Sequence, residues 1–175
     1  GAARATRPAS GVEPTAVRTS VELSPAPASG TEPAALDALP WDQRIPLEQA
    51  LAARDARYAP RMDETGPVLE TPRSVVATFG PAGAALAFGG HETILRVAAI
   101  GRGDSLRPLP ASSTPEIVGP EVRTALGTGI VEWWRSLPSG LEQGVTVAER
   151  PAGDGELLVE VAVTGVLSAR VLTDE

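Results

Sequence analysis

Beyond Met62 the chain is cut into short runs of Val, Ile, Leu and Thr by Gly, Pro, Asp and Ser, and this punctuation limits the folds open to it. RSVVATF, AALAF, ETILRVAAI, EIVGPEVRTAL, GIVEWW, QGVTVAE, ELLVEVAV and VLSARVL are rich in the branched residues that suit a pleated surface. ELLVEVAV alternates, with Leu157, Val159, Val161 and Val163 on one face and Glu156, Leu158, Glu160 and Ala162 on the other. That pattern predicts a half-buried antiparallel strand. Gly-Pro-Ala-Gly at 80–83, Gly-Gly at 89–90 and Ala-Gly-Asp-Gly at 152–155 supply the positive φ that hairpin turns demand. The expected fold is mainly β: an antiparallel β-sandwich or barrel-like double sheet.

Upstream the period changes. LEQALAARDARY, about residues 47–58, is made of helix formers, with Leu47, Ala50, Leu51, Arg54 and Tyr58 on one face. Pro46 suits a first helical position and Asp42 a cap, so one short N-terminal helix is expected, ending before Pro60. Residues 1–40 are built largely of Pro, Ala, Ser, Thr, Gly and Glu with no sustained apolar period. Such a segment cannot bury enough surface to offset its ordering entropy, and it reads as a disordered tether leading into a domain at 41–175. In exported proteins a tether of this kind joins a membrane anchor to a folded domain, which would place a lipid-anchored end upstream.

Charge and residue usage exclude several functions. A net charge of −7 with no Lys argues against a nucleic-acid partner, because phosphate binding needs clustered cations. The absence of Cys removes disulfides, zinc-thiolate centres and thiol catalysis. His91, the sole histidine, follows Gly89-Gly90 and is expected to be an exposed turn residue. The acidic stretches at 61–66 and 154–156 lack the ligand alternation of a calcium loop. No cofactor or metal site is read from the sequence, and no apolar run approaches the ~20 residues of a transmembrane helix.

Two stretches remain as candidate sites. Gly-Arg-Gly-Asp-Ser at 101–105 holds Arg102 and Asp104 in an RGD tripeptide, either an adhesion loop or, far more commonly, a turn. The second is EWWRSLPSGLEQG at 132–144. Glu132 and Glu142 could form a carboxylate pair beside a sugar platform of Trp133 and Trp134. Strand alternation instead sends the two tryptophans to opposite faces, one of them into the space between sheets. On that architectural reading Glu142 and Gln143 satisfy backbone groups of the loop RSLPSG.

GRGDSLRPLP, EWWRSLPSGLEQGVTVAERPAG and ELLVEVAVTG, in that order, resemble the N-terminal domain of large secreted bacterial proteins that carry FG-GAP, integrin-alpha-like propeller repeats further along. The usual motif there is E-W-Y-x-N-G-P-x-G-L-E-Q-G-F-T-L. Glu132, Trp133, Pro138, Gly140, Leu141, Glu142, Gln143, Gly144 and Thr146 match it, while Trp134 replaces Tyr, Ser136-Leu137 replaces Asn-Gly and Val145 replaces Phe. The resemblance spans roughly residues 50–172. It implies an exported, periplasmic or cell-surface setting with a protein partner, or downstream domains of the same polypeptide, and it carries over no catalytic residue. Two functions are therefore expected: a non-enzymatic extracytoplasmic structural, adhesion or protein-interaction domain, or a glycan-binding or glycan-cleaving module using Trp133 or Trp134 with Glu132 or Glu142.

Overall fold

The structure, a computed structural model, describes residue 36, residues 38–110 and residues 113–165. Most of the segment read as a tether, and the run VLSARVL, lie outside these residues. Among the described residues, helix α1 (Trp41–Ala52) and a 3-10 turn (Ala56–Tyr58) lead into eleven strands. β1 (Arg61–Asp63), β2 (Gly66–Glu70), β3 (Val76–Gly80), β4 (Gly83–Phe88) and β5 (His91–Arg102) form a meander, with β6 (Ser105–Pro108) returning along β5. The chain then crosses to a second meander of β7 (Pro115–Val118), β8 (Glu121–Gly127), β9 (Ile130–Leu137) and β10 (Gly140–Val147). β11 (Leu157–Gly165) crosses back and pairs with β5, giving seven- and four-stranded antiparallel sheets.

The sheets pack face to face. Leu69, Phe79, Leu86 and Leu95 from the first meet Val122 and Trp134 from the second, and Val97 and Ile100 meet Leu126 and Ile130. Trp134 abuts Phe79 edge to face, with ring centroids 5.8 Å apart. The expected sandwich-like double sheet is thus observed.

Gly80-Pro-Ala-Gly and Gly89-Gly90 close hairpins, with Gly89 and Gly90 at φ 56° and 80°. Residues 152–155 do not close a hairpin; they carry the chain from one sheet to the other, pinned where Gly103 N–H donates to the Glu156 carbonyl at 3.1 Å. EIVGPEVRTAL, expected as one run, folds at Gly119-Pro120 into β7 and β8.

The helix differs from its expectation. It begins at Trp41 rather than Leu47, its N-cap is Pro40 without a side-chain bond, and Pro46 lies inside it. Ile45 and Glu48 face inward, whereas Leu47 and Leu51, on the predicted apolar face, are exposed. The helix stops at Ala52 because Asp55 starts the 3-10 turn, accepting from Arg57 N at 3.0 Å.

β11 is antiparallel as expected, but its burial is not. An extra residue, Ala98, bulges from β5 between Val97 and Ala99, so Val97 and Ile100 both point inward opposite Val161 and Val159. Ala98 is not left unsatisfied, since its carbonyl accepts from Leu109 N at 2.8 Å. Only Val161 and Ala162 are half-buried; Leu157, Val159 and Val163 stay 44%, 39% and 41% exposed because β11 is the edge of the larger sheet.

Candidate functional site

Register decides what the 132–144 stretch can do. β9 and β10 pair through a two-residue turn, Pro138-Ser139, so Arg135, Ser136 and Leu137 are strand rather than the expected loop. Trp134 lies opposite Gln143, and Glu132 opposite Val145, on the inner face; Trp133 lies opposite Gly144, and Arg135 opposite Glu142, on the outer face. Glu132 and Glu142 are therefore on opposite sides of one sheet. They cannot flank one glycosidic bond, and the carboxylate pair expected as a hydrolytic option is corrected on that ground.

On the outer face Trp133 is half-buried. Its ring occupies the space where a Cβ at Gly144 would stand, and the Arg135 guanidinium lies 4.7 Å from the ring centroid. The same guanidinium donates to Glu121, which is buried beneath it, and Arg123 donates to the second Glu121 oxygen at 2.6 Å. Burial acts to raise the Glu121 pKa, but hydrogen bonds and charge from Arg123 and Arg135 outweigh it and hold the group below the usual carboxylate range.

Glu142 does not satisfy the loop backbone. It accepts two bonds from Gln49 Nε2 of α1, at 2.9 and 3.1 Å. The Ser139 backbone N–H and hydroxyl go instead to Glu48, which is almost wholly buried and also lies 3.7 Å from Arg44. Gln143 likewise serves a side chain, not the loop. α1 is thereby fastened to the β9–β10 turn by polar contacts that no local signal predicts, since the partners are 91 and 93 residues apart.

On the inner face Glu132 is 3% exposed, and its Oε1 accepts from Trp134 Nε1 at 3.0 Å and Gln143 Nε2 at 2.7 Å. Desolvation raises its pKa, against the opposing pull of these two bonds and of the Arg96 charge. Glu132, Trp134 and Gln143 thus come together as one buried unit, while Trp133 and Glu142 belong to another.

Arg102 and Asp104 end and turn the β5–β6 hairpin. Arg102 pairs with Ser105, Gly103 has φ 53°, and the Arg102 guanidinium donates to the Gly155 carbonyl at 2.6 Å. The arginine is tied back to the crossing loop rather than splayed from Asp104, as a turn requires. His91 is exposed at the start of β5. Asp63, in the first acidic stretch, accepts from Thr65 and Gly66 backbone N–H groups and is held below its ordinary pKa first by its bond from the Thr65 side chain. Sequence reasoning missed Glu48, Glu121 and Arg135; only the alternation of Arg135 with Trp133 carried any signal. No protein-family model, curated protein or solved structure matches the chain.

Proposed function

We propose that this chain is a non-enzymatic, extracytoplasmic β domain that docks a protein strand, within a secreted or surface protein of the kind its β9–β10 motif resembles. The observation that supports this reading is β11. Among the described residues it closes one end of the larger sheet and one side of its nine-residue backbone has no partner strand, with Leu157, Leu158, Val159 and Val163 exposed around it. Edge strands are normally blunted by proline, lysine or several charges, and β11 carries Glu160 alone. Such an edge accepts a further strand through main-chain bonds, with side chains on alternate faces giving selectivity. Glu132, Trp134, Gln143, Arg135 and Glu142 are bonded to other side chains of the fold, whereas the β11 edge offers main-chain groups.

Hydrogen exchange tests the reading. Amides of Leu157–Gly165 should exchange more slowly in the full-length polypeptide, or with its binding protein, than in this chain alone, and Val159→Lys should abolish the difference. Equal exchange in every setting would remove the support.

A further inference from the structure

The ladder of β11 has a parity that selects what can lie beside it. Glu156, just before the strand, turns its carbonyl towards Gly103 N–H, and pairing continues from Leu157 opposite Arg102. Main-chain groups alternate sides along a strand, so Leu158 and Glu160 bond to β5. Leu157, Val159, Val161 and Val163 therefore present their N–H and C=O groups at the edge that is open among the described residues. The bulge at Ala98 lies on β5 and leaves this order in β11 intact. The side chains of the same four residues share the inner face, where Val161 joins Val145 and Val147 of β10 against the Ile100 cluster while Val159 and Val163 remain exposed. A strand that fits this edge needs apolar residues inward and a cation across from Glu160, the one charged residue of β11.

Residues 166–175, VLSARVLTDE, follow Gly165 directly and lie outside the described residues. In their sequence Leu167, Ala169 and Val171 alternate with Ser168 and Arg170. Gly165 has φ 137°, a conformation that few other residues adopt, and it permits a turn at that point. With a three-residue connection at 164–166, Leu167, Ala169 and Val171 would stand opposite Val163, Val161 and Val159, and Arg170 opposite Glu160. Glu160 and Arg170 would then form a pair of the non-hydrogen-bonded type, in which side chains approach most closely. A connection of two or four residues would turn Ser168 and Arg170 inward, and one of five would set Leu172 against Glu160. We propose, building on the docking reading of this edge, that residues 167–173 of the chain itself are its resident occupant, an antiparallel hairpin partner of β11 that a docking strand must displace.

Residue-resolved hydrogen exchange on the isolated chain tests this. The amides of Val159, Val161 and Val163 should be protected, and Val171→Pro, which removes a donor aimed at β11, should speed their exchange about tenfold or more. Leu158 and Glu160, bonded to β5, should keep their rates and so report an intact sheet. Glu160→Arg and Arg170→Glu should each speed exchange at the open edge about threefold, and the double reversal should return it to the parent rate. Val171→Pro exchanging as the parent does, a double reversal that recovers nothing, or protection that fades on dilution and so comes from a second copy would each overturn the proposal. None of these results touches the docking reading, which is read from the protection that the binding protein adds. Conversely, a binding protein that adds none even to Val171→Pro would remove the docking reading and leave the hairpin standing.

Discussion

The smaller sheet buries a glutamate on each of its faces, and the two are accommodated by opposite means. Glu121, on the outer face, lies under two arginines and is held as an anion by charge. Glu132, on the inner face, receives only neutral donors from an indole and an amide, and desolvation works against its charge. The pH dependence follows with opposite signs. The pKa of Glu121 is lowered, so its stabilisation is present above the ordinary carboxylate range and is lost as pH falls through its folded-state value. The pKa of Glu132 is raised, so its contribution is complete below that range and is lost as pH rises through the higher folded-state value. One face is built to keep a charge and the other to tolerate a carboxyl group.

The largest test of this contrast concerns the tryptophans. Trp134→Ala should cost about 3–5 kcal/mol by lost transfer energy and a cavity against Phe79. Trp133→Ala removes a half-buried ring and should cost about 1–2 kcal/mol. Urea unfolding measures both, and equal costs would mean that the two faces are not inner and outer in the sense described.

Next come the carboxylates. Arg135→Ala leaves Glu121 with Arg123 alone and should cost about 1–3 kcal/mol at neutral pH, the deficit narrowing in acid as Glu121 protonates. Glu132→Gln should behave oppositely, gaining on the parent as pH rises from acid towards neutrality. Melts of both variants across one pH series read the two signs, and parallel curves would refute the contrast.

Gly144→Ala forces a methyl into the Trp133 ring and should cost about 1–3 kcal/mol, much of it recovered in the double variant with Trp133→Ala. Recovery absent from that double-mutant cycle would show that Gly144 serves some other need. The smallest effect belongs to Asp104→Ala, within about 0.5 kcal/mol in the same unfolding assay, because its side chain is exposed at a turn.

Much of the fold was legible in the sequence because strand alternation and turn chemistry are local. The two glycine hairpins follow from turn chemistry, and the parity that separates Trp133 from Trp134 and the shared face of Leu157, Val159, Val161 and Val163 follow from a period of two. The helix was misplaced because its inward face is set by Glu48 and Ile45, a buried carboxylate and one isoleucine, rather than by the leucines that a periodic reading favours. The burial of β11 was overestimated because alternation tells which side chains share a face, while burial depends on whether an opposing sheet reaches that far.

The candidate site divides along the same line. Sequence by itself determined that adjacent tryptophans point oppositely, that their strand is joined to the next within RSLPSG, and that Arg102 and Asp104 sit at a turn; that the join is only Pro138-Ser139 came from the register. Only the tertiary structure decided that Trp134 is the inner ring, that Glu142 answers to Gln49 and the turn to Glu48, and that Glu132 answers to Trp134 and Gln143. The reason is physical: a strand's period is carried by neighbouring residues, but the partner of a buried charge is chosen by register and by contacts across more than 90 residues of chain.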